Sequence, residues 1–123
     1  MRAIASACER GEIEAEVGRV GSTRADAPGL EIAQQMGLPI AVIENPRHDG
    51  GASMLLAFDG CDILCLAGFM MLVPSAVLAN WPDRILNIHP ALLPKFGGKG
   101  MYGLHVHAAV LAAGETESGC TVH

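Results

Sequence analysis

Aromatic side chains are scarce in this 123-residue sequence, with three Phe, one Trp and one Tyr. A core must therefore be assembled from Ala, Val, Ile, Leu and Met. Positive charge is also short: eight Lys and Arg stand against 13 Asp and Glu, for a formal net charge of −5. A nucleic-acid surface calls for the opposite balance, so no nucleic-acid partner is expected. An anionic small molecule is still admissible, because backbone N–H groups and single cations can bind phosphate. No apolar run approaches the roughly 20 residues needed to span a bilayer. No basic stretch followed by an apolar one opens the chain as a secretory signal would. Cysteines number four, at positions 8, 61, 65 and 120, with no Cys-x-x-Cys pair. No short disulfide scaffold is implied, and their apolar neighbours suggest buried free thiols in a reducing compartment. A soluble, cytoplasmic protein is the expectation.

Several motifs are missing as well. No Gly-x-Gly-x-x-Gly follows a strand, and there is no Gly-x-Ser-x-Gly, which disfavours nicotinamide dehydrogenases and α/β-hydrolases. The run Gly97-Gly98-Lys99-Gly100 fails as a phosphate loop. Leu93 stands where the first Gly belongs, and Gly100 replaces the Ser or Thr. His105 and His107 are two apart, a spacing that does not share a helix face, so with His89 they make no metal shell and no metal is expected.

What is present is an alternation. Helices are predicted over 2–10, with Ile4, Ala7 and Cys8 on one face, and over about 27–36, capped by Asp26 and stopped by Gly37. Further helices are predicted at 52–58, from Pro74 to about Trp81, and over 105–113. Strands are predicted at 14–22, 39–43, 62–67, 84–88 and from 119. Segments 45–51 and 90–104, rich in Pro and Gly, read as loops. Strand and helix alternate throughout, which predicts an α/β domain with a mainly parallel sheet. Such sheets bind ligands beyond the carboxyl ends of their strands. The chain opens on a helix and closes within a strand, so truncation at both ends is the expectation.

Asn87 and His89 fall at one such strand end, two positions apart and so on one face. An amide can stabilise negative charge on a carbonyl oxygen, and an imidazole can carry a proton near neutral pH. The pair suits acyl or formyl transfer. A pair of polar residues closing a strand end and bonding to the next loop fits the same spacing. The segment Gly68–Pro74 could line a pocket for a flat heteroaromatic ring, or pack into the core. His48 lies in a polar loop, and His123 has no assigned role.

The segments Leu66-Ala67-Gly68-Phe69-Met70 and Ile85-Leu86-Asn87-Ile88-His89-Pro90-Ala91-Leu92-Leu93-Pro94-Lys95-Phe96 resemble the glycinamide ribonucleotide transformylases of the formyltransferase superfamily. Ser22–Ala27, Gly29-Leu30-Glu31 and Ser118–His123 match in the same order, and the insertion at 98–103 favours this branch. The resemblance implies a Rossmann-like formyltransferase fold in one incomplete domain, residues 1–123. It implies transfer of a formyl group from 10-formyltetrahydrofolate, the donor cosubstrate, to the amine of glycinamide ribonucleotide in purine synthesis. Asn87 would polarise the formyl carbonyl and His89 would donate a proton to the tetrahedral intermediate. Met70, Met71, Leu72 and Val73 would line the pterin pocket, together with Asn87. Met71 stands where some members carry Arg. The Arg that the family places after its third strand has no clear match: Gly51 falls near it, with Arg47 close by.

The resemblance also implies a first strand with its phosphate loop before Met1 and a catalytic Asp after His123, so the 123-residue polypeptide itself is expected to be poorly folded and inactive. Two relatives share the Asn…His pattern, methionyl-tRNA formyltransferase and formyltetrahydrofolate hydrolase. A non-catalytic folate-binding α/β module is the alternative from outside enzymology. Oligomeric state is not legible.

Overall fold

The computed structural model describes residues 1–123. Contacts within the chain cluster into two units, Met1–Leu64 with Phe69–Ile85, and Cys65–Gly68 with Leu86–His123.

The first unit opens with α1 (Arg2–Glu9). Only Ala5 is buried there, while Ile4 stays 40% exposed, so the apolar face is narrower than its Ile4–Ala7–Cys8 pattern predicts. Gly11 ends this helix in the left-handed region, at φ 71°. Strand β1 (Val20–Ser22) pairs in parallel with β2 (Ile40–Val42), Val20 opposite Ile40. The predicted strand 14–22 is thus cut to its last three residues, because nothing pairs with 14–19 in a ladder. Between the two strands runs α2 (Pro28–Gln35), the crossover that a parallel pair requires. Its buried residues, Leu30 and Ala33, sit three apart on one face. Its N-cap is Ala27 and not Asp26. The Asp26 carboxylate is held by the Arg24 guanidinium at 2.8 and 2.9 Å, which removes it from the helix end.

A helical turn, α3 (Pro46–Asp49), occupies the predicted loop 45–51. The Asn45 side chain accepts from the Arg47 N–H and makes the cap that starts it. Asp49 then accepts from the N–H groups of Gly51 and Ser53, both at 2.8 Å, at the start of α4 (Ala52–Ala57). After β3 (Leu64–Leu66), α5 (Ser75–Asn80) completes the unit. Ile43, Met54, Leu64, Val77 and Trp81 form its core, with Phe58, Phe69 and Val73 packed against them. Trp81 Nε1–H donates to the Cys61 carbonyl at 2.6 Å, which satisfies the indole inside the apolar cluster.

The second unit is built on β4 (Ile85–His89), flanked by β3 and by β5 (Thr121–Val122). Strand β5 runs antiparallel to β4, with Ile88 opposite Val122 and His89 opposite Thr121. Helix α6 (Leu104–Ala112) lies between β4 and β5 in the chain. Ala91, Val106 and Val110 form a small core, with Phe96 and Met101 packed on it.

All four cysteines are free, but none is buried: Cys8 and Cys61 are half-buried, Cys65 and Cys120 exposed. Apolar neighbours in sequence did not become apolar cover, since Cys65 occupies the uncovered side of β3 next to buried Leu64. No helix is long and apolar enough to cross a membrane.

Candidate active site

Burial along β4 alternates strictly. Ile85, Asn87 and His89 are half-buried, while Leu86 and Ile88 are exposed at 41% and 55%. A strand turns successive side chains to opposite faces, so Asn87 and His89 share one face and neither is sealed in packed hydrocarbon.

Strand β5 adds a third polar group to that face. Asn87 and His123 exchange both backbone bonds, at 2.7 and 2.9 Å, which makes them a directly opposed pair. Their side chains meet as a result: the Asn87 amide N–H donates to His123 Nε2 at 2.9 Å. One amide hydrogen and the amide oxygen of Asn87 remain uncommitted by this contact. On the same face His89 Nε2–H donates to the Phe96 carbonyl at 2.7 Å.

The loop that carries Phe96 is tied to β5. Thr121 Oγ1 accepts from the Leu93 N–H at 3.0 Å and donates to the Ala91 carbonyl at 2.8 Å. Lys95 pairs with Glu115 at 2.9 Å. A cleft of about 320 Å³ borders this loop, with Leu93, Lys95, Phe96, Val110, Glu115 and Ser118 in its wall. Neither Asn87 nor His89 lines that cleft.

Met70, Met71, Leu72 and Val73 belong to the first unit. Core packing holds for part of this segment. Val73 packs on the core beside Phe69, whereas Met70 and Leu72 are 60% and 86% exposed. Alternate residues therefore anchor the segment and present apolar side chains outward.

The remaining candidates scatter. His48, His105 and His107 are exposed, and His105 meets the Tyr102 ring edge-on with centroids 5.3 Å apart. No group of three or more His, Cys, Asp and Glu side chains could hold a metal ion. Gly98 and Gly100 have φ of 90° and 85° and form turns, Met101 N–H to the Gly98 carbonyl and Tyr102 N–H to that of Gly100. Gly51 and Arg47 lie around α3, where Gly51 is buried and Arg47 exposed.

Three residues of this site were not assigned from the sequence: His123, Thr121 and Phe96. Only the antiparallel register brings the first two to β4, and a two-residue strand carries no periodicity that would reveal it. Phe96 contributes through its carbonyl, which no side-chain pattern encodes.

Comparison with known proteins shows the family. A family model described as formyl transferase matches residues 1–123. The chain is 38% identical to a chloroplastic phosphoribosylglycinamide formyltransferase of Arabidopsis thaliana, over 99% of this chain and 44% of that protein. It is 37% identical to phosphoribosylglycinamide formyltransferase of Escherichia coli K12, over 100% of this chain and 58% of that protein. Among solved structures, glycinamide ribonucleotide transformylase 1 from Symbiobacterium toebii superimposes with a TM-score of 0.84 at 40% identity, over 99% of this chain and 58% of that one. The chain thus spans about half the length of these three proteins, and its α/β fold is theirs.

Proposed function

The chain belongs to the formyl transferase family, and from that premise we propose that its parent protein moves a formyl group from 10-formyltetrahydrofolate to the amine of glycinamide ribonucleotide, a step of purine biosynthesis. The relatives named above support this choice of acceptor. The observation that carries it is the shared face of Asn87 and His89 at the carboxyl end of β4.

The chemistry needs two services. The amine attacks the formyl carbon, and negative charge develops on the formyl oxygen. The Asn87 N–H that His123 leaves free is the donor for that oxygen, and His123 fixes the amide plane. The new C–N bond then stays while the bond to the folate nitrogen breaks. The attacking nitrogen loses one proton and the departing folate nitrogen gains one. His89 carries that proton, since an imidazole can hold and release it near neutral pH. Met70 and Leu72 present apolar surface suited to the pterin ring, and the half-buried Met71 and Val73 complete the segment. Folate is consumed as a cosubstrate, and the reading includes no metal and no nucleic acid. Cytoplasmic location is part of the same proposal.

The test is an acceptor panel. The full-length protein is supplied with 10-formyltetrahydrofolate and glycinamide ribonucleotide, methionyl-tRNA or water alone. Formylated ribonucleotide is the expected product. Formyl-methionyl-tRNA, or free formate with no acceptor formylated, would replace this reading with that of a relative. Folate binding with no turnover would make the protein a binding module.

A further inference from the structure

The hydrogen bond between His89 and Phe96 admits one proton arrangement. A carbonyl has no proton to give, so the ring nitrogen facing it at 2.7 Å, Nε2, must carry one. In the neutral ring Nδ1 is then the bare nitrogen, and in the charged ring it is the second N–H. Whichever state the ring is in, the proton that comes and goes does so at Nδ1.

The position of that carbonyl is not an accident of a loose loop. Phe96 has φ of 56°, in the left-handed region that bulky side chains rarely enter. Three features hold it there. Its ring packs on the cluster of Ala91, Val106 and Val110. Gly97 follows against the end of the Leu93 side chain, where an added Cβ would lie 2.7 Å from Leu93 Cδ2. Leu93 is itself bonded to Thr121, the residue opposite His89 across the strands. An uncommon backbone conformation persists only when its surroundings over-determine it, and such conformations gather at functional sites.

We propose that Phe96 is a positioning residue: its left-handed turn aims a carbonyl that locks His89 in the Nε2–H tautomer and makes Nδ1 the nitrogen that exchanges the proton during formyl transfer. This rests on the reading of His89 as the proton carrier.

The tautomer is read directly by long-range ¹H–¹⁵N correlation of ¹⁵N-histidine in the protein at its full encoded length, at a pH where the ring is neutral. The Nε2–H pattern is expected for His89. An Nδ1–H pattern, or an even mixture, overturns the proposal whatever the variants do. Phe96→Pro fixes φ near −65° and must swing the carbonyl away. It is expected to populate the other tautomer and to lower kcat at least about tenfold, with a changed pH profile and little change in KM. Phe96→Asn, which enters the left-handed region readily, is expected to restore the tautomer and most of the rate. A folded Phe96→Pro with the parental tautomer and rate also overturns it. An Nε2–H pattern in a protein without formyl transfer would leave the lock standing and remove the proposed reaction.

Discussion

Asn87 and His89 stand two positions apart and face the same way, yet their bonds divide the work. The Asn87 amide spends one hydrogen on His123 and keeps one, while His89 spends Nε2 on a backbone carbonyl. Asn87→Ala removes the free donor and should lower kcat by about 10²–10³, the range seen when one donor to a developing oxyanion is lost. His89→Ala should cost about 10²–10⁴. Steady-state assay of the full-length variants reads both, and a variant within twofold of the parent would remove that residue from the chemistry. A third residue tests the frame of the first unit. The Ser53 side chain, then the Ser53 and Gly51 N–H groups, hold the Asp49 carboxyl below the usual carboxylate range. The Ser53 hydroxyl itself stops short of hydrogen-bond geometry, so it acts as a nearby dipole while the two N–H groups make the bonds. A depressed carboxylate contributes stability that is complete above its unfolded pKa, about 3.9, and is lost as pH falls through the lower folded value. Melting temperature followed from about pH 6 down to about pH 3 should therefore fall less steeply for Asp49→Asn than for the parent. Parallel curves would show that the carboxylate contributes nothing.

Elements with strong local chemistry were legible in the sequence. Gly37 at φ 70° closes α2, Pro28 starts it, and the apolar runs at 40–42 and 64–66 are strands. The order of elements, and hence the α/β class, followed from this alternation. Asn87 and His89 were legible because alternation along one strand fixes their common face. What the sequence hid depended on contacts between distant residues. The turn α3 was read as loop because Pro and Gly mark both, and only the Asn45 side-chain bond distinguishes them. The strand over 14–22 was over-extended because its alternating residues have no ladder partner before Val20. Gly51 shows the same limit from the other side. Composition marks it as a loop residue, but it is the joint between two short helices. Its φ is 96°, and a Cβ would lie 2.7 Å from the buried Val77 side chain and 3.1 Å from Pro74. Gly51→Ala therefore combines a left-handed penalty with overpacking and should cost about 3 kcal/mol. Urea unfolding measures it, and a loss below about 0.5 kcal/mol, the range of an ordinary surface change, would mean that α4 and α5 part easily.

At the scale of the molecule, the apolar residues are unevenly spent. The first unit buries Ile43, Met54, Leu64, Val77 and Trp81 together, and several half-buried side chains pack on them. The second buries only Ala91, Val106 and Val110, while Leu104 and Leu111 on α6 are 83% and 77% exposed. Burial of apolar area contributes roughly 25 cal/mol per Å², so a core of one Ala and two Val confers less local stability than one that includes Met and Trp. Proteins open in cooperative units, and those with few buried contacts open first. Native-state hydrogen exchange should therefore show the amides of α4 and α5 outlasting those of α6. The unit that opens sooner also holds Asn87 and His89, proposed to act on the formyl group, and Phe96 and His123, which hold them in place. A ligand that binds only their ordered arrangement must stabilise it by mass action. In the full-length protein, a non-reactive formyl-folate analogue at about 100 times its Kd should slow exchange in α6 by up to about 100-fold, corresponding to about 2.7 kcal/mol, and slow it in α4 only through the pterin contacts proposed for Met70 and Leu72. Equal slowing in both helices would show that the two open together, and no slowing in either would separate folate from this site.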